Sequence, residues 1–297
     1  MSQWTRGFHA RRSLVLAGVA VVALGCEPQS GTEASAGRLA FIDRLGNDTL
    51  AVEVYTRTAA GFSGDLLVRS PVTRVAHYEA TLAPDGTIER LDVDWRTPEA
   101  NPEGPPPMGF TVTIEGDSAT IETRGTQDPG GTRIAVPEGA IPSLGSTPPS
   151  YAELEQAVRQ ALAAGGGRYP VALIQAGRAR VAENAVTMLG GDTVSMDFHG
   201  DPMLAAVDQT GHPLWRSGAQ TTLKIEGEAA EYVDIETLAA DFAARDARGE
   251  GMGRASPEAT VESVLSGASI SVVYSQPAKR GREIWGGLVP YGEVWRT

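Results

Sequence analysis

The chain has 297 residues, 41% of them hydrophobic, with 25 Lys and Arg against 37 Asp and Glu and a formal charge of −12. A chain of that length and apolar content buries a core and lacks the signature of disorder. Its acidic excess repels nucleic acid and anionic headgroups, so neither is expected as a charge-driven partner.

Arg6, Arg11 and Arg12 precede an apolar run of twelve residues, 13–24, closed by Gly25 and Cys26. The run is too short to span a bilayer, which takes about 20 residues as a helix. A basic start, a short apolar centre and a small-residue end make an export signal. Ala23-Leu24-Gly25-Cys26 resembles the lipobox of bacterial lipoproteins, whose Cys is diacylated before cleavage just ahead of it, although the usual box opens with Leu. The resemblance implies a signal peptide over 1–25, lipid attachment at Cys26, membrane contact through acyl chains and a place in the bacterial cell envelope. Cys26 is the sole cysteine, so no internal disulfide competes for it. Arg11-Arg12-Ser13-Leu14-Val15 also resembles a loose twin-arginine signal, with the general secretory route preferred. Residues 26–37 read as a flexible polar tether. Beyond residue 25 the balance is 22 basic against 37 acidic side chains, a charge of −15.

From residue 38 the pattern is strand and turn. Leu50, Val52 and Val54 alternate with Ala51, Glu53 and Tyr55, the period of a half-buried strand. Pro84-Asp85-Gly86 and Gly116-Asp117 fold two further hairpins, and the proline-rich stretch 98–109 is a loop. Three later segments echo earlier ones in order. Leu-Gly-x-Asp-Thr recurs at 45–49 and 189–193, 205–215 echoes 80–90, and 221–235 echoes 110–123. Two readings stay open: an internal duplication (38–125 and 183–235), or hairpins that merely look alike.

Two helices interrupt the strands. Tyr151, Leu154, Val158 and Leu162 share a face behind an N-cap at Ser150, with a stop at Gly165. Ile235, Leu238 and Phe242 share another behind Asp234. Residues 38–248 therefore read as a mainly β domain, an antiparallel meander forming a curved sheet or half-barrel with two helices packed against it. Architecture of this kind is similar to that of envelope carriers that hold acyl chains, a likeness of form alone. Gly-rich 249–255 reads as a linker.

The last unit opens with Ser256 and Pro257, continues through a strand to Tyr274, Ser275 and Pro277, then carries Gly281, Arg282, Gly286, Gly287, Pro290, Tyr291, Gly292, Trp295 and Arg296. This run resembles the start of the bacterial domain of unknown function 2911, with Trp285 for the family's usual Phe and Arg280 for its Lys. The resemblance implies a β-rich exported domain without assigned activity, and its motif breaks off at Thr297, as in a domain cut short. Val261, Ile270 and Val272 read as strand core, and Arg282 and Arg296 as partners for carboxylates or Trp rings.

Catalytic constellations are sparse. Asp197, His199 and Asp201 would share one face of a strand and could ligate a divalent metal, although a solvated strand end is the simpler reading. Gly61-Phe62-Ser63-Gly64 has the wrong spacing for a nucleophile elbow, and Gly165-Gly166-Gly167 ends a helix where a phosphate loop would begin one. No pattern calls for a cofactor. Three functions follow in order: a lipid-anchored protein that binds or carries an apolar or lipid-like ligand, a structural or assembly lipoprotein, and a metal-dependent hydrolase.

Overall fold

The computed structural model describes residues 37–125, 130–198, 201–219, 224–254, 256–287 and 289–292. The signal and tether, with Cys26, lie outside these residues, as do His199, Trp295 and Arg296.

The strands are β1 (Arg38–Leu45), β2 (Asp48–Arg57), β3 (Gly61–Val68), β4 (Arg74–Leu82), β5 (Ile88–Arg96), β6 (Met108–Glu115), β7 (Ser118–Arg124), β8 (Gly131–Ala135) and β9 (Ile141–Pro142). Helix α1 (Tyr151–Ala163) follows, then β10 (Arg168–Gln175), β11 (Arg180–Gly190), β12 (Thr193–Phe198), β13 (Asp201–Val207), β14 (Pro213–Ser217) and β15 (Glu226–Ala230). Helix α2 (Ile235–Ala247) precedes a separate hairpin, β16 (Glu258–Leu265) and β17 (Ala268–Ser275).

The first fifteen strands form one open sheet in the order β8-β7-β6-β5-β4-β3-β2-β1-β15-β14-β13-β12-β11-β10-β9. Every pairing is antiparallel except β9 on β10. The sheet is not closed into a barrel, but it curls: β5, well along one arm, approaches β9 at the far edge of the other.

Helix α1 lies inside the curl. Ser150 accepts from the Glu153 N–H at 2.9 Å, as the N-cap rule requires, and Gly165 takes a positive φ of 94° just past the last turn. Tyr151, Ala152, Leu154, Ala157, Val158 and Ala161 are fully buried and share one apolar cluster with strands from both arms. Each large apolar side chain so buried contributes roughly 1.5–3 kcal/mol. The remaining faces of α1 are not solvated. Glu153, Glu155 and Gln156 are buried too, so the helix is covered nearly all round.

Helix α2 covers the opposite face. Asp234 accepts from the Thr237 N–H, and Ile235, Ala239 and Phe242 pack on Val52, Val54, Leu67 and Val75. Strand β2 is thus buried on both sides instead of one: Val52 and Val54 face α2 while Ala51 and Tyr55 join the α1 cluster.

The echoed segments are only partly equivalent. Leu45–Thr49 and Leu189–Thr193 both close hairpins, β1–β2 and β11–β12. Gly116 closes the β6–β7 hairpin, whereas its counterpart Gly227 lies within β15. Strand β3 also separates β2 from β4, while β12 leads directly into β13, so the strand succession is not repeated.

The stretch read as a linker is fastened. Met252 is buried with Leu45, Leu50, Met203 and Ile225, and the Gly253 carbonyl accepts from the Ser70 hydroxyl at 3.0 Å. Beyond it, β16 and β17 pair only with each other among the described residues. Val261, Ile270 and Val272, expected as strand core, are 53%, 43% and 48% exposed, because a lone two-stranded ribbon has no second layer to cover it.

Candidate functional site

Where α1 enters the sheet, strands β1, β2 and β14 bring charge into the interior. Glu53 on β2 accepts from the Tyr78 hydroxyl at 2.7 Å and from the first N–H groups of α1, Tyr151 at 2.5 Å and Ala152 at 3.3 Å. A carboxylate there meets the positive end of the helix dipole and satisfies donors that the helix cannot satisfy itself. Burial still raises its pKa above the ordinary glutamate value, against the hydrogen bonds that lower it.

Beside it, Arg216 of β14 pairs with Asp43 of β1, with Nε to Oδ1 at 2.8 Å, and Nη1 donates to the Pro149 carbonyl. The guanidinium lies 4.0 Å from the centre of the Tyr151 ring, and Phe41 stacks on the same ring at 3.9 Å. Tyr151 Oη donates to Asp43 at 3.1 Å. Glu155, one turn into α1, accepts from Tyr55 at 2.7 Å and from Arg159 at 2.7 Å, with Arg57 at 3.3 Å and His212 at 3.7 Å. Burial alone would push this carboxyl up, but the nearby His212 ring, the Tyr55 bond and the charge of Arg57 hold it at about 2. The network is dense and enclosed, and it fixes α1 in the sheet.

One member of the network also lines a cleft. Glu153 is fully buried; Ser143 and the Leu144 N–H reach it only at 3.3 and 3.4 Å, and burial pushes its pKa up to about 7, with the Glu53 charge adding to the rise. It lies in the wall of a cleft of about 640 Å³, the part of the sheet's inner face that α1 leaves uncovered. Phe110 of β6, Leu173 of β10 and Met196 of β12 make an apolar floor, and all three are buried. Arg178 and Arg180 stand exposed where β10 turns into β11. Between them Ala179 takes the left-handed conformation, at φ 45°, which is uncommon for a residue with a Cβ. A second cleft of about 680 Å³ borders the first at Glu183, Asn184 and Asp197.

The cleft gathers three carboxyls, one of them buried, two guanidiniums, two amides and hydroxyls around an apolar floor. That arrangement suits recognition of a small molecule.

The expected metal triad does not hold together as a strand face. The chain reverses between β12 and β13, with Asp197 opposite Pro202 and Phe198 opposite Asp201, so no single strand carries all three residues. His199 lies outside the described residues. Asp197 instead sits 3.5 Å from Arg168 at the border of the clefts. Among the described residues no three His, Cys, Asp or Glu side chains are grouped to hold a metal ion.

The C-terminal motif residues build turns. Gly281, at φ 77°, lies where a Cβ would come within 2.1 Å of the Asn47 side chain. Arg282, expected beside a carboxylate or a Trp ring, donates to the Lys279 and Ala278 carbonyls. The Gly286 N–H donates to the Val289 carbonyl, Gly287 shares that turn, and Gly292 has φ 75°. The Pro257 carbonyl accepts from the Gln276 N–H, whose side chain donates to Tyr274 Oη, and Ser256, Ser275 and Pro277 are exposed around that pairing. Tyr291 is exposed.

Glu153, Arg178 and Arg180 carry no motif in the sequence. The one available signal for Glu153 is its setting, since Ala152, Ala157 and Ala161 give α1 small residues off its main apolar face, a helix built for close approach on several sides.

Residues 256–297 match the model of a family described as a protein of unknown function, DUF2911. No curated protein and no solved structure matches the chain.

Proposed function

We propose that this is an exported protein of the bacterial cell envelope, held to a membrane by acyl chains on Cys26, that binds or carries an apolar, lipid-like ligand in the inner-face cleft. The observation that carries the reading is the cleft itself: about 640 Å³ with an apolar floor, within the size range of small-molecule sites. The anchor rests on the layout of the first 26 residues and on Cys26 as the chain's one cysteine.

The test has two parts. Mass labelling of the protein from its own envelope fraction should find acyl chains on Cys26, and Cys26→Ser should abolish them. The chain from Glu27 onward, extracted natively, should carry a stoichiometric apolar molecule, and Met196→Trp, which fills the cleft, should leave it empty. An unmodified Cys26 would remove the anchor, and a protein that neither retains nor takes up apolar molecules would remove the ligand.

A structural or assembly role is the second reading. It is favoured by α1, which occupies most of the inner face that a carrier would offer to cargo.

A further inference from the structure

We propose that the inner-face cleft takes a single-chain amphiphile with one negatively charged head, a carboxylate or phosphate monoester, held at the mouth by Arg178 and Arg180. The inference rests on the binding role proposed above and names its ligand class.

Burial sets the depth of each group. Arg178 and Arg180 are exposed, whereas Phe110, Leu173 and Met196 are nine-tenths buried or more. The exposed rim of the cleft thus carries both guanidiniums, with Glu183 beside them, while its buried floor is apolar, the polarity of an amphiphile. The volume, about 640 Å³, fits a single small molecule.

Carboxylates outnumber cations here, and several exposed arginines pair with one: Arg90 with Asp92, Arg96 with Glu236, Arg124 with Asp94, Arg245 with Asp241. Among the described residues, neither Arg178 nor Arg180 has an ion-pair partner. Arg180 Nε donates to the neutral Gln175 side chain at 2.8 Å, which orients the guanidinium without spending its charge. Two such forks at one mouth match the oxygens of a carboxylate or phosphate.

The acidic groups in the same lining limit the head to one. Asp197 is occupied by Arg168 at 3.5 Å, and exposed Glu183 repels a second anionic group. A neutral chain alcohol fills the floor equally well but leaves the guanidiniums in water.

The chain from Glu27 contains the whole of the compact unit that starts at Gly37, so it serves for binding. Its affinities for palmitate, hexadecyl phosphate, 1-hexadecanol and inorganic phosphate are measured at low salt. The two anionic amphiphiles should bind about tenfold or more tightly than hexadecanol, and R178Q with R180Q should bring all three within about twofold. Both substitutions are at exposed positions, and an unchanged thermal midpoint verifies the fold. A preference between palmitate and hexadecyl phosphate identifies the head. Equal binding of hexadecanol by the unaltered chain, or a preference that survives the double substitution, overturns the inference and leaves the binding role standing. Inorganic phosphate bound as tightly as hexadecyl phosphate also overturns it, since the chain would then contribute nothing. If none of the chain-bearing probes binds, the binding role itself fails.

Discussion

The Glu53 carboxylate accepts the Tyr151 N–H at 2.5 Å, although 98 residues separate them. With the Ala152 N–H and the Tyr78 hydroxyl it satisfies three buried donors at once, so the end of α1 is capped from a strand as well as by Ser150. Glu53→Gln keeps the size but turns an amide N–H₂ toward groups that are all donors. The expected cost is about 2–3 kcal/mol at pH 8, read as a lower urea midpoint with a lost delay in hydrogen exchange at Tyr151. An unchanged midpoint would mean that the helix end does not depend on this carboxylate.

Glu153 gives stability an unusual slope with pH. Its pKa is about 7 in the fold against 4.5 when unfolded, so the folded chain holds the proton more tightly. Between pH 4.5 and 7 the unfolded chain ionises first, and this group's contribution falls as pH rises, by up to about 3 kcal/mol, then stays level. Glu153→Gln removes the slope. The variant should match the parent near pH 4.5 and exceed it at pH 8, and parallel stability curves across that range would refute the assignment.

Glu155 acts with the opposite sign. Its pKa is held at about 2, so its stabilisation is complete above pH 4.5 and lost as pH falls toward 2. Glu155→Gln strands Arg57 and should cost about 3 kcal/mol at pH 7. The gap between variant and parent should narrow steadily from pH 4.5 to 3, as followed by chemical denaturation. A constant gap would separate the loss from ionisation.

These two glutamates mark where the sequence is legible and where it is not. Capping and periodicity suffice for both helices, because Ser150, Asp234 and the apolar spacings are local signals. Turn chemistry likewise places the β4–β5 and β6–β7 hairpins. Burial on α1 is not local: Glu153 and Glu155 look solvated until the sheet arms close over them, a consequence of pairing β1 with β15 across nearly two hundred residues. The same holds for β2, whose period-two pattern marks a strand but not that α1 covers its Glu53 face. The cleft draws Phe110, Glu153, Arg178 and Met196 from four separate segments, none with a motif.

Gly227 records how closely β15 approaches α1. A Cβ there would stand 1.9 Å from Tyr151 Oη and 2.3 Å from Asp43 Oδ1. Gly227→Ala must displace the Asp43–Arg216–Tyr151 group, at a cost of about 2–3 kcal/mol. Thermal unfolding reads it directly, and a midpoint within a degree of the parent would show that the approach is looser than described.

The C-terminal segment is docked on the sheet through one hairpin turn. The Arg280 carbonyl accepts the Asn47 N–H at 2.9 Å, and its guanidinium pairs with Asp48 at 2.5 Å and donates to the Met252 carbonyl at 3.1 Å. Gly281 then passes so close to Asn47 that no side chain fits, at a φ of 77° that favours glycine in any case. Since β16 and β17 are exposed on both faces, little apolar burial adds to this attachment. Asp48→Asn should therefore leave sheet stability within about 1 kcal/mol of the parent, as for a partly exposed pair. It should, however, speed hydrogen exchange at Asn47 and proteolysis within 254–282. Gly281→Ala should do the same more strongly, through sterics instead of charge. If both variants resist proteolysis like the parent, the segment is held by contacts other than the Arg280 turn.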